Sequence, residues 1–366
     1  MSTFSFQPAN YKIKRYPSTS NHSLKSWSAA DEYMLQYLSD LESTPSHAII
    51  CNDRFGYLGC HLSPFSPQVV INYKSQEKAI RLNLEKNGIA PEKLSFYTPL
   101  DTLQDTTIAL IRIPKSTDLF EWFLHQVHTQ IDDKGEVICS FMTKYFNPQL
   151  LKVAEKYFEE VEQSKAWKKA RLLILKKPKK IDTSITSLVH QLPYQDQKVF
   201  EQYYGVFSAK NIDYATQFFM ENMLIEGNEN TVLDLASGNG VLAWAARQVL
   251  PNADIHLMDD AHLAVASSQR NLSSEKTSFH FEDHIEDLPV KQFDLIVSNP
   301  PFHFEHENNI EVSIGLFQQV KKALSPTGNF QLVANKHLNY KTHLEKIFEK
   351  VEVVQENDKF IIYQCR

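Results

Sequence analysis

The stretch TVLDLASGNGVLAWAA, residues 231–246, combines a strand, a turn and a helix. Its first six residues are mostly apolar β-forming types and predict a buried strand. SGNG is a small-residue turn, in which Gly238 and Gly240 permit positive φ angles and a close approach of a ligand to the backbone. The apolar residues from Val241 onward predict a helix. In open α/β sheets this arrangement forms the crevice in which ligands bind.

The rest of the C-terminal half alternates between predicted strands and helices. Four more segments predict strands, namely PNADIHLMDD, TSFHFED, FDLIVSNPPF and NFQLVANKH. Between and after them, AHLAVASSQRNL, SIGLFQQVKKAL and HLEKIF have helical character. Strands separated by helices predict a mostly parallel sheet that is covered on both faces. The last segment, KVEVVQENDKFIIYQC, predicts a hairpin that adds antiparallel strands at one edge.

The N-terminal half repeats this order of segments. SHAIICNDRFGYLGCHL resembles TVLDLASGNGVLAWAA, and PQVVINYKSQEKAIRLNLEKNG resembles ADIHLMDDAHLAVASSQRNLSSE. Three further pairs follow in the same order, at a near-constant offset of roughly 184–193 residues. Because chance rarely produces ordered blocks of this kind, we predict a duplicated domain. The predicted fold class is α/β, with two tandem Rossmann-like domains over residues 1–190 and 191–366.

The two copies differ at their polar and glycine positions. Alignment of the two turns puts Arg54 in the place of Gly238, and alignment of the strand ends puts Ile113 in the place of Asn299. Neutral divergence of two equal domains is one interpretation. We favour one working site in the second copy, with the first copy retained for another task such as holding substrate.

Composition and cysteine usage limit the class of protein. The chain has 366 residues, and no stretch reaches eighteen apolar residues, so a membrane span is not expected. The N-terminus shows no apolar segment behind its charges, so no signal peptide is expected. The four cysteines form no CxxC pair, and the histidines show no HExxH spacing. These features favour a cytoplasmic protein without a metal site.

Charge is distributed unevenly along the chain. Residues 1–190 carry 24 Lys and Arg against 20 Asp and Glu, whereas residues 191–366 carry 14 against 24. A basic cluster, KAWKKARLLILKKPKK, runs from Lys165 to Lys180. The cluster is either a solvated strand pair with a linker or a surface that contacts phosphates.

Three acidic positions follow predicted strands of the C-terminal half. They are Asp234, then Asp259 or Asp260, and Asp283. A dinucleotide site would need a third glycine where Ala243 stands, so NAD and FAD are disfavoured. A carboxylate at the glycine turn repels phosphate and suits a cation. An adenosine that carries an amino acid and a positive sulfonium fits all three positions, although each acid taken alone is also typical of a turn or helix cap.

The stretch VSNPPFH ends a predicted strand with Asn299 and two prolines. An aromatic amino group is a poor nucleophile, because its lone pair is delocalised into the ring. The Asn299 side-chain oxygen and the carbonyl of Pro300 could accept hydrogen bonds from the two N–H groups of the amino group. These bonds would draw the nitrogen towards sp³ geometry. Pro300 and Pro301 fix φ and hold that carbonyl rigidly. Phe302 offers a face on which a base can stack.

These motifs resemble those of class I S-adenosylmethionine-dependent methyltransferases. DLASGNG stands where that family usually has D-x-G-x-G-x-G, with Ala236 replacing the first glycine. NPPF matches the [N/D]-P-P-[F/Y/W] motif of amino-group methyltransferases, and NPPFH resembles bacterial ribosomal RNA guanine-N2 methyltransferases. GVFSAKNID, residues 205–213, resembles their VFS-x-x-x-[LI]-D segment. VANKHLNY, residues 333–340, resembles the VAN-[RK]-HL-x-Y stretch of the type that acts on large-subunit (23S) RNA.

The resemblance implies a ribosomal RNA guanine-N2 methyltransferase that uses S-adenosyl-L-methionine. The implied catalytic residues are Asn299, Pro300, Pro301 and Phe302. The implied cofactor-binding residues are Phe207, Ser208, Asp234, Ala236, Ser237, Gly238, Gly240, Asp259, Asp260, Asp283 and Asn299. Phe207 and Ser208 would border the cofactor or the base, although Ser208 is also typical of a helix N-cap.

The expected partner is ribosomal RNA, preferably 23S RNA, either as naked RNA or within a ribosomal subunit. The protein is expected to be a monomer that binds neither a membrane nor a metal ion. The basic N-terminal copy would contribute phosphate contacts. Four alternatives stay open at this point. They are guanine N2 of 16S RNA, adenine N6, a glutamine amide, and a non-catalytic RNA-binding assembly factor.

Overall fold

The computed structural model describes residues 5–7, 11–19, 21, 23–41, 45–182, 184–195, 198–300, 303–304, 307–308 and 310–366. The chain divides into two compact units, residues 1–187 and 188–366. This division lies close to the predicted boundary at residue 190. Within the described residues, none of the helices has the length and apolar character needed to cross a membrane.

The first unit contains a seven-stranded sheet and five α-helices among its described residues. Its strands are β1 Ile49–Cys51, β2 Gln68–Val70, β3 Ser95–Tyr97, β4 Thr106–Arg112, β5 Ile131–Met142, β6 Phe158–Gln163 and β7 Ala170–Pro178. Its helices are α1 Ala29–Ser39, α2 Tyr57–Leu62, α3 Lys74–Lys86, α4 Thr117–His128 and α5 Gln149–Tyr157. The strand order is β3-β2-β1-β4-β5-β7-β6. Strands β1 to β5 pair in parallel, and β7 pairs antiparallel with both β5 and β6.

The second unit begins with a separate hairpin and continues with a second seven-stranded sheet. Its strands are β8 Val189–Tyr194, β9 Lys198–Tyr203, β10 Thr231–Leu235, β11 Asp254–Asp259, β12 Thr277–Phe281, β13 Phe293–Ser298, β14 His303–Phe304, β15 Glu307–Asn308, β16 Leu324–Asn335, β17 Val351–Glu356 and β18 Phe360–Cys365. Its helices are α6 Tyr214–Asn222, α7 Val241–Val249, α8 His262–Asn271, α9 Ile310–Ala323 and α10 Lys341–Leu344. The order of the large sheet is β12-β11-β10-β13-β16-β18-β17.

Strand β10 supplies both hydrophobic layers of the second unit. Leu233 packs into a core that includes Phe317 and Phe330, whereas its neighbour Val232 packs into a core that includes Phe219 and Leu257. Adjacent residues of a strand point to opposite faces, so both faces of the sheet are covered. Burying an aliphatic or aromatic side chain of this size contributes about 1.5–3 kcal/mol. The predicted parallel sheet with a terminal antiparallel hairpin is confirmed.

The duplication is confirmed by topology and by backbone geometry. The two large sheets have the same strand order and the same pattern of parallel and antiparallel pairs. A glycine precedes the first crossover helix in each unit, and the two have nearly the same backbone angles. They are φ 83° and ψ 21° at Gly56, and φ 82° and ψ 21° at Gly240. A left-handed residue also follows the first strand in each unit, with φ 62° at Asn52 and 57° at Ala236. The chain therefore contains two tandem Rossmann-like domains.

Candidate active site

The glycine turn lies where the strand order of the second sheet reverses. Strand β10 stands between β11 and β13, and the turn connects β10 to α7. In open α/β sheets this switch point is where ligands bind. A Cβ at Gly240 would lie 2.6 Å from Cδ1 of Leu272, so only glycine fits there. A Cβ at Gly238 would meet no atom within 4 Å, so this side of the turn faces open space.

Asp259, at the end of β11, holds the turn through backbone hydrogen bonds. Its Oδ2 accepts from the N–H of Gly238 at 2.9 Å, and its Oδ1 accepts from the N–H of Ala261 at 2.8 Å. Burial raises the pKa of Asp259 to about 6, against the opposing effect of these two hydrogen bonds. The described contacts give Asp259 a structural role, and its bond to a ribose stays a prediction.

Asp234 lies behind the turn and is fully buried. Its Oδ2 accepts from the N–H of Ala243 at 2.9 Å, which satisfies one of the unpaired amides in the first turn of α7. Burial raises the pKa of Asp234 well above its usual range. Oδ1 of Asp234 and the buried Oγ of Ser237 have no hydrogen-bond partner among the described residues. A hydrogen bond from either of these buried oxygens to a ligand stays a prediction.

The remaining acids lie farther along the same edge of the sheet. Asp260 follows β11 directly, and Asp283 follows β12. Asp283 pairs with Nδ1 of His284 at 3.1 Å. Together with Asp287 they bring three potential ligand atoms within 4.8 Å of one another. Acidic groups of this kind are common in proteins without a bound ion, and contacts of Asp260 and Asp283 with a cofactor stay predictions.

The end of β13 lies directly beside the glycine turn. Leu235 and Ser298 are aligned in the sheet, and the Ser298 hydroxyl donates to the Leu235 carbonyl at 2.7 Å. The half-buried Asn299 and the buried Pro300 follow Ser298 at this edge. The predicted catalytic residues Pro301 and Phe302 lie outside the described residues.

The amide group of Asn299 is fixed by two residues that the sequence did not single out. Nδ2 of Asn299 donates to Oδ2 of Asp213 at 3.2 Å and to Oγ1 of Thr216 at 3.0 Å. Asp213 is also the N-cap of α6, since it accepts from the N–H groups of Ala215 and Thr216. Asp213 is the last residue of the GVFSAKNID segment, so the motif contains a signal for this position.

Phe207 and Ser208 lie in the loop before α6. The Phe207 side chain is 63% exposed. The Ser208 hydroxyl donates to the carbonyl of Asn211 at 2.6 Å, and its φ is 63°. Ser208 is therefore not a helix N-cap, because Asp213 has that role. A role of Phe207 and Ser208 beside the cofactor or the base stays a prediction.

Comparisons with known proteins agree with this architecture. Residues 1–180 match the model of the RLMG N-terminal domain, and residues 197–364 match the methyltransferase small domain. Ribosomal RNA large subunit methyltransferase G of Shewanella sp. strain MR-4 is 30% identical over 377 residues, which cover 99% of each chain. The chain belongs to the ribosomal RNA large subunit methyltransferase G family. The relative of the same name from Psychromonas ingrahamii is 30% identical over 96% of each chain.

A solved structure shares the fold of this member of the methyltransferase G family. It is a T. thermophilus 16S rRNA N2 methyltransferase in complex with AdoMet and guanosine. The TM-score is 0.76, with 18% identity over 93% of this chain and 92% of that chain. The match covers both units and establishes the fold.

The first unit of this methyltransferase G family member has a large side chain where the second unit has Gly238. Arg54 stands in the place of Gly238 and is 3% exposed. Its guanidinium donates to Oγ of Ser75 at 2.9 Å and lies 5.0 Å from the ring centroid of Tyr73. A large buried side chain thus takes the position at which the second unit has Gly238. The difference agrees with a cofactor site in the second unit alone.

Proposed function

We propose that this protein transfers a methyl group from S-adenosyl-L-methionine to the exocyclic N2 of a guanine in large-subunit ribosomal RNA. The observation that carries the proposal is the position of Asn299, one residue beyond the Ser298–Leu235 hydrogen bond and beside the glycine turn. An amino-group acceptor and a cofactor crevice therefore adjoin at one edge of the sheet. Membership of the methyltransferase G family supports the same activity.

The residues at the crevice suit this cofactor. The open side of Gly238 leaves room for a ligand at the backbone. Asp234 and Ser237 each provide a buried oxygen without a partner among the described residues, and Asp260 adds a carboxylate beside β11. A ligand with ribose hydroxyls and a cationic amino acid group matches these acceptors. When bound, the cofactor supplies an electrophilic methyl group on a sulfonium, whose S–C bond breaks during transfer.

The protein would activate the guanine by orienting its amino group. Oδ1 of Asn299 and the carbonyl oxygen of Pro300 accept hydrogen bonds from the two N–H groups. The nitrogen lone pair is then less delocalised into the ring and can point towards the methyl group. The nitrogen forms the new N–C bond and afterwards loses one proton to water. Because Pro300 is buried and its φ is fixed by its ring, its carbonyl needs little reorganisation. Positioning is then the main catalytic effect, and the base must be unstacked to reach Asn299.

Large-subunit RNA is the proposed substrate. The curated relatives carry large subunit in their names, and VANKHLNY resembles the 23S type. The T. thermophilus enzyme acts on 16S rRNA, so 16S is the second candidate. We further propose a monomer that acts in the cytoplasm without a metal ion.

The first unit would hold the RNA, and only part of its basic cluster is available for that task. Lys176 pairs with Glu136 at 2.7 Å, and Lys177 pairs with Glu160. Nζ of Lys179 donates to a backbone carbonyl at 2.6 Å. Lysines that already neutralise a carboxylate contribute little net charge to a phosphate site. We therefore assign no phosphate contacts to Lys176 and Lys177.

A better candidate for RNA contact lies at the end of β5. We call it the lysine–aromatic edge and define it as Lys144, Tyr145, Phe146 and Lys169. The N–H of Thr143 donates to the carbonyl of Lys169 at 2.8 Å, which brings the two segments together. Tyr145 and Phe146 are 36% and 38% exposed, and both lysines are exposed. Cations beside exposed rings suit single-stranded RNA, whose phosphates pair and whose bases stack.

The second unit has an edge that corresponds to the lysine–aromatic edge. There the N–H of Lys336 donates to the carbonyl of Lys359 at 3.0 Å, and Lys336 follows β16 as Thr143 follows β5. Both edges lie at the carboxyl ends of their parallel strands, where open α/β sheets bind ligands. The duplication thus supports a ligand-binding role for the lysine–aromatic edge.

Methyl transfer from labelled S-adenosylmethionine to protein-free 23S and 16S RNA tests the proposal. Digestion to nucleosides and mass analysis should give N2-methylguanosine from 23S RNA alone. Product from 16S alone would move the substrate to the second candidate, and N6-methyladenosine would move the chemistry to adenine. Absence of product from naked RNA and from immature subunits would favour the assembly-factor alternative.

Asn299→Ala provides the matched control. The substitution removes the acceptor for the amino group and leaves the glycine turn unchanged. We expect transfer to be abolished while the affinity for S-adenosylmethionine stays within a few fold. An equal loss of both properties would mean that Asn299 holds the cofactor rather than the base.

A further inference from the structure

We infer that Asp213 and Thr216 are positioning residues that fix the carboxamide of Asn299 with its oxygen towards the target amino group. The inference rests on the proposed function and adds two residues to it. Both lie in the segment from the loop before α6 to its first turn, far from Asn299 in sequence. Their effect would be transmitted through the Asn299 side chain, so neither needs to touch the substrate.

The argument starts from the near-symmetry of a carboxamide. Oxygen and nitrogen of an asparagine side chain have almost the same shape, so rotation by half a turn exchanges an acceptor for a donor. Only the orientation with the oxygen forward can accept an N–H bond from a base amino group. The reverse orientation would present N–H groups to another N–H group.

The neighbours of Asn299 select one of these orientations. Nδ2 carries two hydrogens, and two acceptors receive them, Oδ2 of Asp213 at 3.2 Å and Oγ1 of Thr216 at 3.0 Å. An ionised carboxylate accepts and cannot donate, so a rotated amide would place oxygen against oxygen at Asp213. Oδ1 is then directed away from both residues, and none of the described residues donates a hydrogen bond to it.

Asp213 is itself held in place by the helix that it caps. Its Oδ2 accepts from the N–H groups of Ala215 at 3.0 Å and Thr216 at 3.1 Å, in addition to Nδ2 of Asn299. Three donors converge on one oxygen, which restricts its movement. The start of α6 therefore couples the loop that contains Phe207 and Ser208 to the amide that would bind the base.

Thr216 allows the sharpest test, because its hydroxyl can be removed without removal of the helix cap. Thr216→Val keeps the shape and the backbone N–H that Asp213 accepts, and it deletes one acceptor for Nδ2 of Asn299. We expect kcat to fall about tenfold, while KM for RNA and Kd for S-adenosylmethionine stay within about twofold. Thr216→Ser restores the hydroxyl and should recover most of the rate.

Asp213 provides a second series. Asp213→Asn retains a good N-cap and one side-chain acceptor, whereas Asp213→Ala removes both. We expect kcat to decrease from wild type through Asp213→Asn to Asp213→Ala, with a loss of about a hundredfold for the alanine variant. Any residual single-turnover rate of Asn299→Ala should not fall further when Thr216→Val is added, since the amide that Thr216 positions is gone.

The two levels of the proposal fail in different ways. If wild-type protein gives no N2-methylguanosine, the proposed function is overturned. If wild type is active and Thr216→Val has the kcat of Thr216→Ser, the positioning role is overturned and the function stands. A rise in KM with unchanged kcat would also overturn it, because that pattern indicates substrate binding rather than orientation.

Discussion

The hydroxyl of Ser298 donates to the carbonyl oxygen of Leu235 at 2.7 Å, and both residues are buried. The bond joins the last residues of β13 and β10, the two strands that meet at the switch point. Asn299 follows one of these residues and Ala236 follows the other. One hydrogen bond thus sets the spacing between the proposed acceptor site and the glycine turn.

Ser298→Ala should therefore reduce both stability and activity. Loss of a buried hydrogen bond destabilises the fold by about 1–2 kcal/mol, and a looser strand end should lower kcat several-fold. Urea unfolding and the methyl transfer assay measure the two effects. Ser140→Ala is the control, because Ser140 is also fully buried but its Oγ has no partner among the described residues. A similar loss of stability in both variants would contradict the assigned role of the Ser298 hydroxyl.

The two glycines of the turn should respond differently to alanine. At Gly240, the φ of 82° would strain the backbone of an alanine, and its Cβ would lie 2.6 Å from Leu272 and overpack the core. Gly240→Ala should therefore lower the free energy of unfolding by about 3 kcal/mol. Gly238→Ala meets no atom within 4 Å and should cost about 1 kcal/mol through its φ of 55°. Denaturant midpoints give the stabilities.

Cofactor affinity provides the second comparison of these variants. The Cβ of Gly238→Ala would project into the open side of the turn, so we expect calorimetry to show at least a tenfold weaker Kd for S-adenosylmethionine despite a nearly intact fold. Unchanged affinity in this variant would place the cofactor elsewhere.

The sequence predicted those features that follow from local pattern. The strand, turn and helix around Gly238 and Gly240 were predicted from residue types, since positive φ angles and strand periodicity depend on near neighbours. The duplication was also predictable, because Gly56 and Gly240 occupy the same place in two similar segments and have the same dihedral angles.

Contacts between distant segments could not be predicted in this way. Asp213 and Asn299 are 86 residues apart, and their hydrogen bond depends on how α6 packs against the sheet, where it contacts β16 and β18. The pairing of Lys176 with Glu136 likewise arises from the antiparallel register of β5 and β7, in which these residues are opposite each other. A run of lysines in a sequence does not reveal which of them are neutralised.

The affinity for S-adenosylmethionine should weaken in mild acid. Burial raises the pKa of Asp259 to about 6, and the ionised form accepts from the N–H groups of Gly238 and Ala261. Protonation as the pH falls through about 6 turns one acceptor into a donor and loosens the turn. Calorimetry between pH 8 and pH 5 should therefore show affinity that is constant above pH 7 and falls below pH 6.

Asp259→Asn isolates this effect from other acids. Asp260 lies nearby, and its charge also raises the pKa of Asp259. The asparagine variant should bind more weakly at pH 8 and lose most of the pH dependence between pH 7 and pH 5. A variant that keeps the full wild-type pH profile would assign the titration to another group.

Two pairs of lysines distinguish the RNA-contacting surface from a solvated one. Lys144→Gln with Lys169→Gln removes two charges from the lysine–aromatic edge, and Lys176→Gln with Lys177→Gln removes two charges that are paired with Glu136 and Glu160. Both double variants change the net charge equally, so a general electrostatic effect is the same in each. Only the first pair is proposed to contact phosphates.

Filter binding of protein-free 23S RNA at several salt concentrations gives the comparison. We expect the first pair to weaken binding about tenfold and to lower the slope of log K against log salt by roughly 1.5, as the loss of two phosphate contacts predicts. The second pair should weaken binding by less than about threefold with little change in slope. Equal slopes for the two double variants would show that the lysine–aromatic edge has no special part in RNA binding. A larger effect of the second pair would mean that Lys176 and Lys177 contact phosphates, because RNA would then have displaced the glutamates that pair with them.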